Sequence, residues 1–315
     1  MSSTHNDLTY DVIVVGAGPA GENVADRAVQ GGLSVAIVED ELVGGECSYW
    51  ACMPTKALLR STTALHAAQQ LPGARQAITS SLDVDAILRR RDGFSSGWKD
   101  DGQVSWLQQA GIDLVRGRGR LNGPHTVEVT GVQGQTTLTA RQAVVIATGS
   151  YALVPPVPGL ADVPVWTNRE AVAVRAVPGR LAIVGGGVVA AEMATAFARL
   201  GSTVTMLARD GVLPTNEPFA GELVTQALKD MGVTVDLGIG VTAARLDENG
   251  FTVLSLTNET DTAPESQRRR KLLTARTGTF WTWHSKVPVP VGPAAELPAR
   301  TEMAARDGPA CGTDR

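Results

Sequence analysis

Residues 10–21 read Tyr10-Asp11-Val12-Ile13-Val14-Val15-Gly16-Ala17-Gly18-Pro19-Ala20-Gly21. A short apolar run ends in a glycine turn, and a helical stretch follows from Pro19 to about Gln30. The spacing G-x-G-x-x-G has a physical rationale. The first glycine allows the tight turn, the second lets the backbone approach a pyrophosphate, and the third lets the helix pack on the strand. The helix start then offers unpaired N–H groups and a favourable dipole to phosphate oxygens. Gly31 and Gly32 stop the helix, Ser34 to Val38 forms a second strand, and Glu39 closes it. A carboxylate at that place can hydrogen-bond ribose hydroxyls. Strand, helix and strand in this order form the βαβ unit of a parallel sheet.

The pattern returns further on. Leu181 to Val184 reads as a strand, Gly185-Gly186-Gly187 as a turn, Val188 to Leu200 as a helix and Thr203 to Leu207 as a strand. In this second motif, Gly185-x-Gly187-x-x-Ala190, alanine takes the third place, which needs only a small residue. Two such units predict an α/β chain with two Rossmann-like, doubly wound nucleotide-binding domains. The second unit carries Leu207-Ala208-Arg209 at its strand end, without an acid in place. A nearby arginine suits a 2′-phosphate, so NADP(H) is expected in preference to NAD(H). A solvated surface arginine is the alternative reading of Arg209.

Between the units lies Gly44-Gly45-Glu46-Cys47-Ser48-Tyr49-Trp50-Ala51-Cys52-Met53-Pro54-Thr55-Lys56. The cysteines stand five positions apart, unlike the C-x-x-C of zinc sites, and no histidine lies close by. No metal is expected. The segment resembles the active-site signature of the class I pyridine nucleotide-disulfide oxidoreductases, the family of dihydrolipoamide dehydrogenase, glutathione reductase and mercuric reductase. Its usual pattern is G-G-T-C-x-N-x-G-C-x-P-(S/T)-K. This chain departs from it at Glu46, Tyr49 and Ala51.

The resemblance extends over roughly residues 8 to 257 and implies a set of roles. FAD would lie on Gly16, Gly18 and Gly21 with Glu39 on its ribose. Gly45 and Glu46 would stand at the flavin contact, Gly119 near the adenine, and Thr148 and Gly149 beside the flavin. Lys56 and Glu192 match a lysine–glutamate pair near flavin N5. Gly185, Gly187, Ala190 and Arg209 would take the nicotinamide nucleotide. Hydride would pass from NAD(P)H through flavin to the Cys47–Cys52 disulfide and on to a small-molecule or disulfide acceptor. Cys52 would be the flavin-side thiolate and Cys47 the interchange thiol. That chemistry needs a thiolate, so Cys47 is expected to have a lowered pKa or a base beside it.

The rest of the chain sets limits. Its 315 residues are enough for about two domains. A net charge of −4 gives no reason to expect nucleic acid or an anionic membrane as partner. No apolar run is long enough to span a bilayer, and the polar start lacks a secretory signal, so a cytoplasmic protein is expected. Only three cysteines occur, too few for a disulfide scaffold. The expected division is 8–152 for an FAD domain with the dithiol, 153–260 for an incomplete NAD(P) domain, and 261–315 for an irregular tail.

That tail holds six prolines and the basic run Arg268-Arg269-Arg270-Lys271. Disorder or a frameshifted reading frame would both account for it. Lys271 to Gly278 only faintly echoes the family's L-L-x-A-T-G-R strand. The family's C-terminal His-Glu base has no match at His5, His66, His125 or His284, and the family's homodimer interface domain is not expected in this chain. The alternative is therefore a truncated, catalytically impaired FAD- and nucleotide-binding module. A flavin monooxygenase shares the paired folds but has no use for a C-x₄-C dithiol.

Overall fold

The computed structural model describes residues 8–258, 271–275 and 279–281. In the first half of the chain, β1 (Leu8–Val15), α1 (Pro19–Gln30) and β2 (Val35–Glu39) build the first unit. The short helix α2 (Gly45–Tyr49) and the long α3 (Cys52–Gln70) follow, then α4 (Val84–Phe94) and α5 (Asp101–Ala110). Next come β3 (Ile112–Arg116), β4 (Arg118–Leu121), β5 (Thr126–Gly131) and β6 (Gly134–Ile146). These strands form one sheet in the order β3-β2-β1-β6-β5-β4. Its β3, β2, β1 and β6 run parallel, while β4, β5 and the first part of β6 form an antiparallel meander.

The second half repeats this plan. Its elements are β7 (Val165–Trp166), α6 (Asn168–Val172), β8 (Arg180–Val184), α7 (Val188–Arg199), β9 (Thr203–Ala208), α8 (Pro218–Asp230) and β10 (Thr234–Leu237). They are followed by β11 (Ile239–Leu246), β12 (Thr252–Asn258), β13 (Lys271–Ala275) and β14 (Thr279–Trp281). The second sheet, β10-β9-β8-β14-β7, is parallel throughout. A three-stranded antiparallel sheet, β11-β12-β13, accompanies it.

The expected α/β architecture with two Rossmann-like sheets is therefore present. One expectation needs correction. Lys271–Ala275 and Thr279–Trp281 fall in the stretch read as an irregular tail, yet β13 completes the meander and β14 lies between β8 and β7 in the second sheet. Backbone pairing between β8 and β7 demands a strand there, and it outweighs the weak local pattern. The remaining positions of 261–315, the basic run and His284 among them, lie outside the described residues.

Strands buried on both faces read as continuous apolar runs, as in β1 and β2. Val14, Val35, Ile37 and Leu107 pack on one side of the first sheet, and Ile13, Val38, Val127 and Leu138 on the other. Leu58 of α3 packs with Phe197 and Met193 of α7, so the helix that follows the dithiol shares a core with the second unit. Among the described residues no helix is long and apolar enough to cross a membrane.

Arg91 is a buried cation in this fold, only 2% exposed. Its guanidinium donates to the carbonyls of Val172 and Val174, the latter at 2.9 Å, and so holds the end of α6. Its Nε bonds Asp92 at 2.7 Å. Arg91→Met would keep the bulk and leave two carbonyls without donors. A loss of about 2 to 4 kcal/mol in unfolding free energy is expected from chemical denaturation. A loss under about 0.5 kcal/mol, the size of an ordinary surface substitution, would contradict the assigned role.

Candidate functional site

Both glycine turns adopt the same geometry. Gly16 has φ +102° and Gly185 φ +127°, values that favour glycine. Gly16 N–H donates to Val38 O and Gly185 N–H to Leu207 O, each at 2.8 Å. The helix-capping residues Gly18 (φ −77°, ψ −179°) and Gly187 (φ −74°, ψ −179°) nearly coincide, and neither helix has a side-chain cap. A Cβ at Gly21 would lie 1.9 Å from Gly16 O, so this position can only be glycine. A Cβ at Gly18 or Gly187 would meet nothing within 4 Å. The protein leaves space above both helix starts, as a backbone cradle for a diphosphate requires. In the second turn Ala190 is fully buried, and the closest approach is at Gly186, where a Cβ would lie 1.9 Å from Gly211 O.

The first turn opens on a cleft of about 570 Å³. Of the expected site residues, Gly16, Gly18, Glu39, Gly45, Glu46, Gly119, Thr148 and Gly149 all line it. They come from β1, the end of β2, the start of α2, β4 and the end of β6. Gly21 lies beneath the turn. Glu39 accepts from Ala17 N–H and from Glu41 N–H, both at 2.8 Å, so its carboxylate braces the glycine turn as well as facing the cleft. Burial raises its pKa, against the pull of those two N–H donors.

The cysteine segment packs directly on this turn. Gly44 and Gly45 have φ +109° and +56°. Gly44 N–H donates to Ala17 O at 2.7 Å, and a Cβ on Gly45 would come within 2.9 Å of Gly18 Cα. Tyr49, one of the departures from the family pattern, is fully buried and donates to Val43 O at 2.9 Å, pinning the turn from behind. Burial pushes its phenol up to about 12. Cys47 lies on α2, and Cys52 is the first residue of the 19-residue helix α3, where the dipole and unpaired N–H groups favour negative charge.

The cysteines are free thiols, and their side chains hydrogen-bond one another. Here the structure corrects an expectation. The Cys47 pKa is pushed up to about 11, first by burial and then by the adjacent Cys52 sulfur. Lys56 and the Cys52 N–H pull it down without overcoming these effects. His66 and His125 are both exposed, on α3 and in the β4–β5 turn. Lys56 and Glu192 feel one another's charge across α3 and α7, and burial raises the Glu192 pKa. No ion pair joins them among the described residues.

The second cleft, about 470 Å³, is lined by Gly185, Gly187 and Arg209, among others. Arg209 follows β9 and pairs with its neighbour Asp210, 3.1 Å away. That acid also faces the cleft, one position beyond the place where none was expected. Among the described residues no group of three or more His, Cys, Asp or Glu side chains is arranged to hold a metal ion.

A set of residues that the motifs do not reveal completes the first cleft. Arg169 of α6 reaches from the second unit to Glu46 and Glu41 and lies over the Trp50 ring, 4.0 Å from its centroid. Asn168 donates to Glu46 at 2.8 Å. The Thr167-x-x-Glu170 capping box signals a helix start in the sequence. Nothing local in the sequence connects that helix with residue 46.

The family model for pyridine nucleotide-disulphide oxidoreductases matches residues 10–268. The chain is 32% identical over 248 residues to a mercuric reductase of Staphylococcus aureus, across 78% of this chain and 44% of that protein. It is 35% identical over 233 residues to a dihydrolipoyl dehydrogenase of Acholeplasma laidlawii, across 72% of this chain and 68% of that one. A match to a dihydrolipoyl dehydrogenase of Haloferax volcanii, 33% identical, spans 82% of this chain and 54% of the relative. The chain thus spans about half the length of several of its relatives. In fold it is similar to a HOCl-induced flavoprotein disulfide reductase of Escherichia coli solved as a Cu(II) complex. The TM-score is 0.71 at 22% identity, over 88% of this chain and 57% of that one.

A thiol titrating near 11 is mostly protonated at neutral pH. In the reduced chain without cofactor, alkylation of Cys47 by iodoacetamide should therefore rise about tenfold per pH unit from pH 7 to 10, because only the thiolate reacts. Peptide mass spectrometry would follow it residue by residue. A plateau by about pH 8 would show that the raised value is wrong.

Proposed function

Because the chain belongs to the pyridine nucleotide-disulphide oxidoreductase family, we propose that it passes electrons from NAD(P)H to the Cys47–Cys52 disulfide and on to a small-molecule or disulfide acceptor. The observation that carries this reading is the packing of the cysteine turn on the glycine cradle, Gly45 against Gly18. It brings the two cysteines beside the glycine-lined cleft, which supports a redox dithiol acting next to a dinucleotide. When bound there, FAD supplies a hydride acceptor that returns an electron pair to a disulfide. Gly16, Gly18 and Gly45 would take its diphosphate, and Glu39 its ribose. Thr148, Gly149, Lys56 and Glu192 would border its ring.

The protein's own groups then divide the work. Cys52 at the start of α3 is the sulfur best placed to carry negative charge. Cys47 is the one that attacks the acceptor, and it needs a proton taken from it first. Its raised pKa makes that deprotonation the demanding step at neutral pH. The second cleft takes the pyridine nucleotide on Gly185, Gly187 and Ala190. Arg209 favours NADP(H) through the 2′-phosphate, which would compete with Asp210 for the guanidinium. In this reading residues 8–152 form the flavin unit and 153–260 belong to the nucleotide unit.

The purified chain should be yellow. Anaerobic NADPH should bleach the flavin and expose two further reactive thiols per chain. A colourless preparation that ignores NADPH would mean a non-catalytic binding module instead. Arg209→Ala should raise the KM for NADPH by about tenfold and leave that for NADH nearly unchanged. An equal change for both nucleotides would remove the argument for NADP(H).

A further inference from the structure

The first cleft is acidic for a site meant to hold a diphosphate. Glu39, Asp40, Glu41 and Glu46 line it, against Arg118 and Arg169 among the described residues. A bound dinucleotide adds about two more negative charges. Glu41 and Glu46 are the carboxylates that Arg169 holds. Its Nε donates to one Glu46 oxygen at 2.6 Å, and its Nη2 makes an ion-pair contact with the same oxygen at 2.5 Å. Its Nη1 and Nη2 reach the two Glu41 oxygens at 3.1 and 2.8 Å. A guanidinium has five N–H donors, and these three hydrogen bonds leave one on Nη1 and one on Nη2.

Arg169 is also held firmly in place. Its helix α6 begins with the Thr167–Glu170 capping box and ends on Arg91. The guanidinium carbon lies over the Trp50 ring, 4.0 Å from its centroid. Glu46 immediately precedes Cys47, and its second oxygen is fixed by Asn168 of the same helix at 2.8 Å. The second unit therefore grips the residue next to the interchange thiol and faces the cleft with the same side chain.

We propose that Arg169 is a cofactor-positioning residue: by neutralising Glu41 and Glu46 it lets the glycine cradle accept a dinucleotide diphosphate, and it fixes the Cys47 turn while doing so. This rests on the reading of the first cleft as a flavin site. Without Arg169 two unpaired carboxylates would face the incoming phosphates. If Arg169 were only a tether between the units, removing the Glu46 charge would not restore what the loss of the arginine costs. In a neutralising role, removing the Glu46 charge should make up for removing the arginine.

The test uses the full chain stripped of flavin and titrated with FAD, with binding followed by flavin fluorescence and folding checked by thermal melts. Arg169→Ala should bind FAD about tenfold or more weakly. Arg169→Lys should recover part of that loss, and the double variant R169A/E46Q most of it. Glu46→Gln alone, which keeps the arginine, should bind FAD at least as tightly as wild type. Wild-type affinity in folded R169A would overturn the proposal. So would a double variant as weak as R169A, or an E46Q chain that binds more weakly than wild type. A wild-type chain that holds no FAD would sink the flavin reading and this proposal with it; the other failures leave that reading intact.

Discussion

The site depends on a contact between two glycines. Gly45 lies so close to Gly18 that a Cβ on it would stand 2.9 Å from the neighbouring Cα, and the Gly44 N–H is already bonded to Ala17 O at 2.7 Å. The glycine turn and the cysteine turn therefore pack directly, backbone against backbone. Tyr49 fills the space behind it, and α3 starts at Cys52. Any side chain at position 45 would push the dithiol away from the cleft. The local rule that puts glycine in this turn also sets the place of the two cysteines.

Much of this was legible in the sequence because it is local. The dihedral demands of Gly16 and Gly185, the strand–turn–helix order and the C-x₄-C spacing all lie within short windows. The α/β fold followed from two such windows. Arg169 escaped that reading because its partners, Glu41 and Glu46, are 128 and 123 positions away in the chain. Only the packing of α6 against the first unit brings them together. The Cys47 pKa escaped for another reason. A signature can indicate that a thiolate is wanted, but the balance of burial against Lys56 depends on the folded surroundings. In β14 a strand formed where composition suggested none, because a gap between β8 and β7 would leave ladder groups unpaired.

The two clefts share one cradle and differ in their charges. In the first, Glu39 turns both oxygens toward backbone N–H groups and braces its own turn. In the second, the strand end offers a cation, Arg209, with an acid beside it. The same backbone solution thus receives different side chains at the place where a ribose would lie. The departures from the family signature follow a similar logic. Tyr49 supplies bulk and a hydrogen bond behind the turn, and Glu46 brings a charge that Arg169 answers from the far side of the cleft.

The central claim is that reducing equivalents entering the cleft end on the two sulfurs beside it. Differential alkylation measures this directly. The air-oxidised, flavin-loaded chain is labelled with one isotopic form of iodoacetamide before anaerobic NADPH and a second form after it, then mapped by peptide mass spectrometry. Cys47 and Cys52 should both carry only the second label. Full first label on both cysteines, or second label gained at Cys311 while this pair stays unlabelled, would contradict the account.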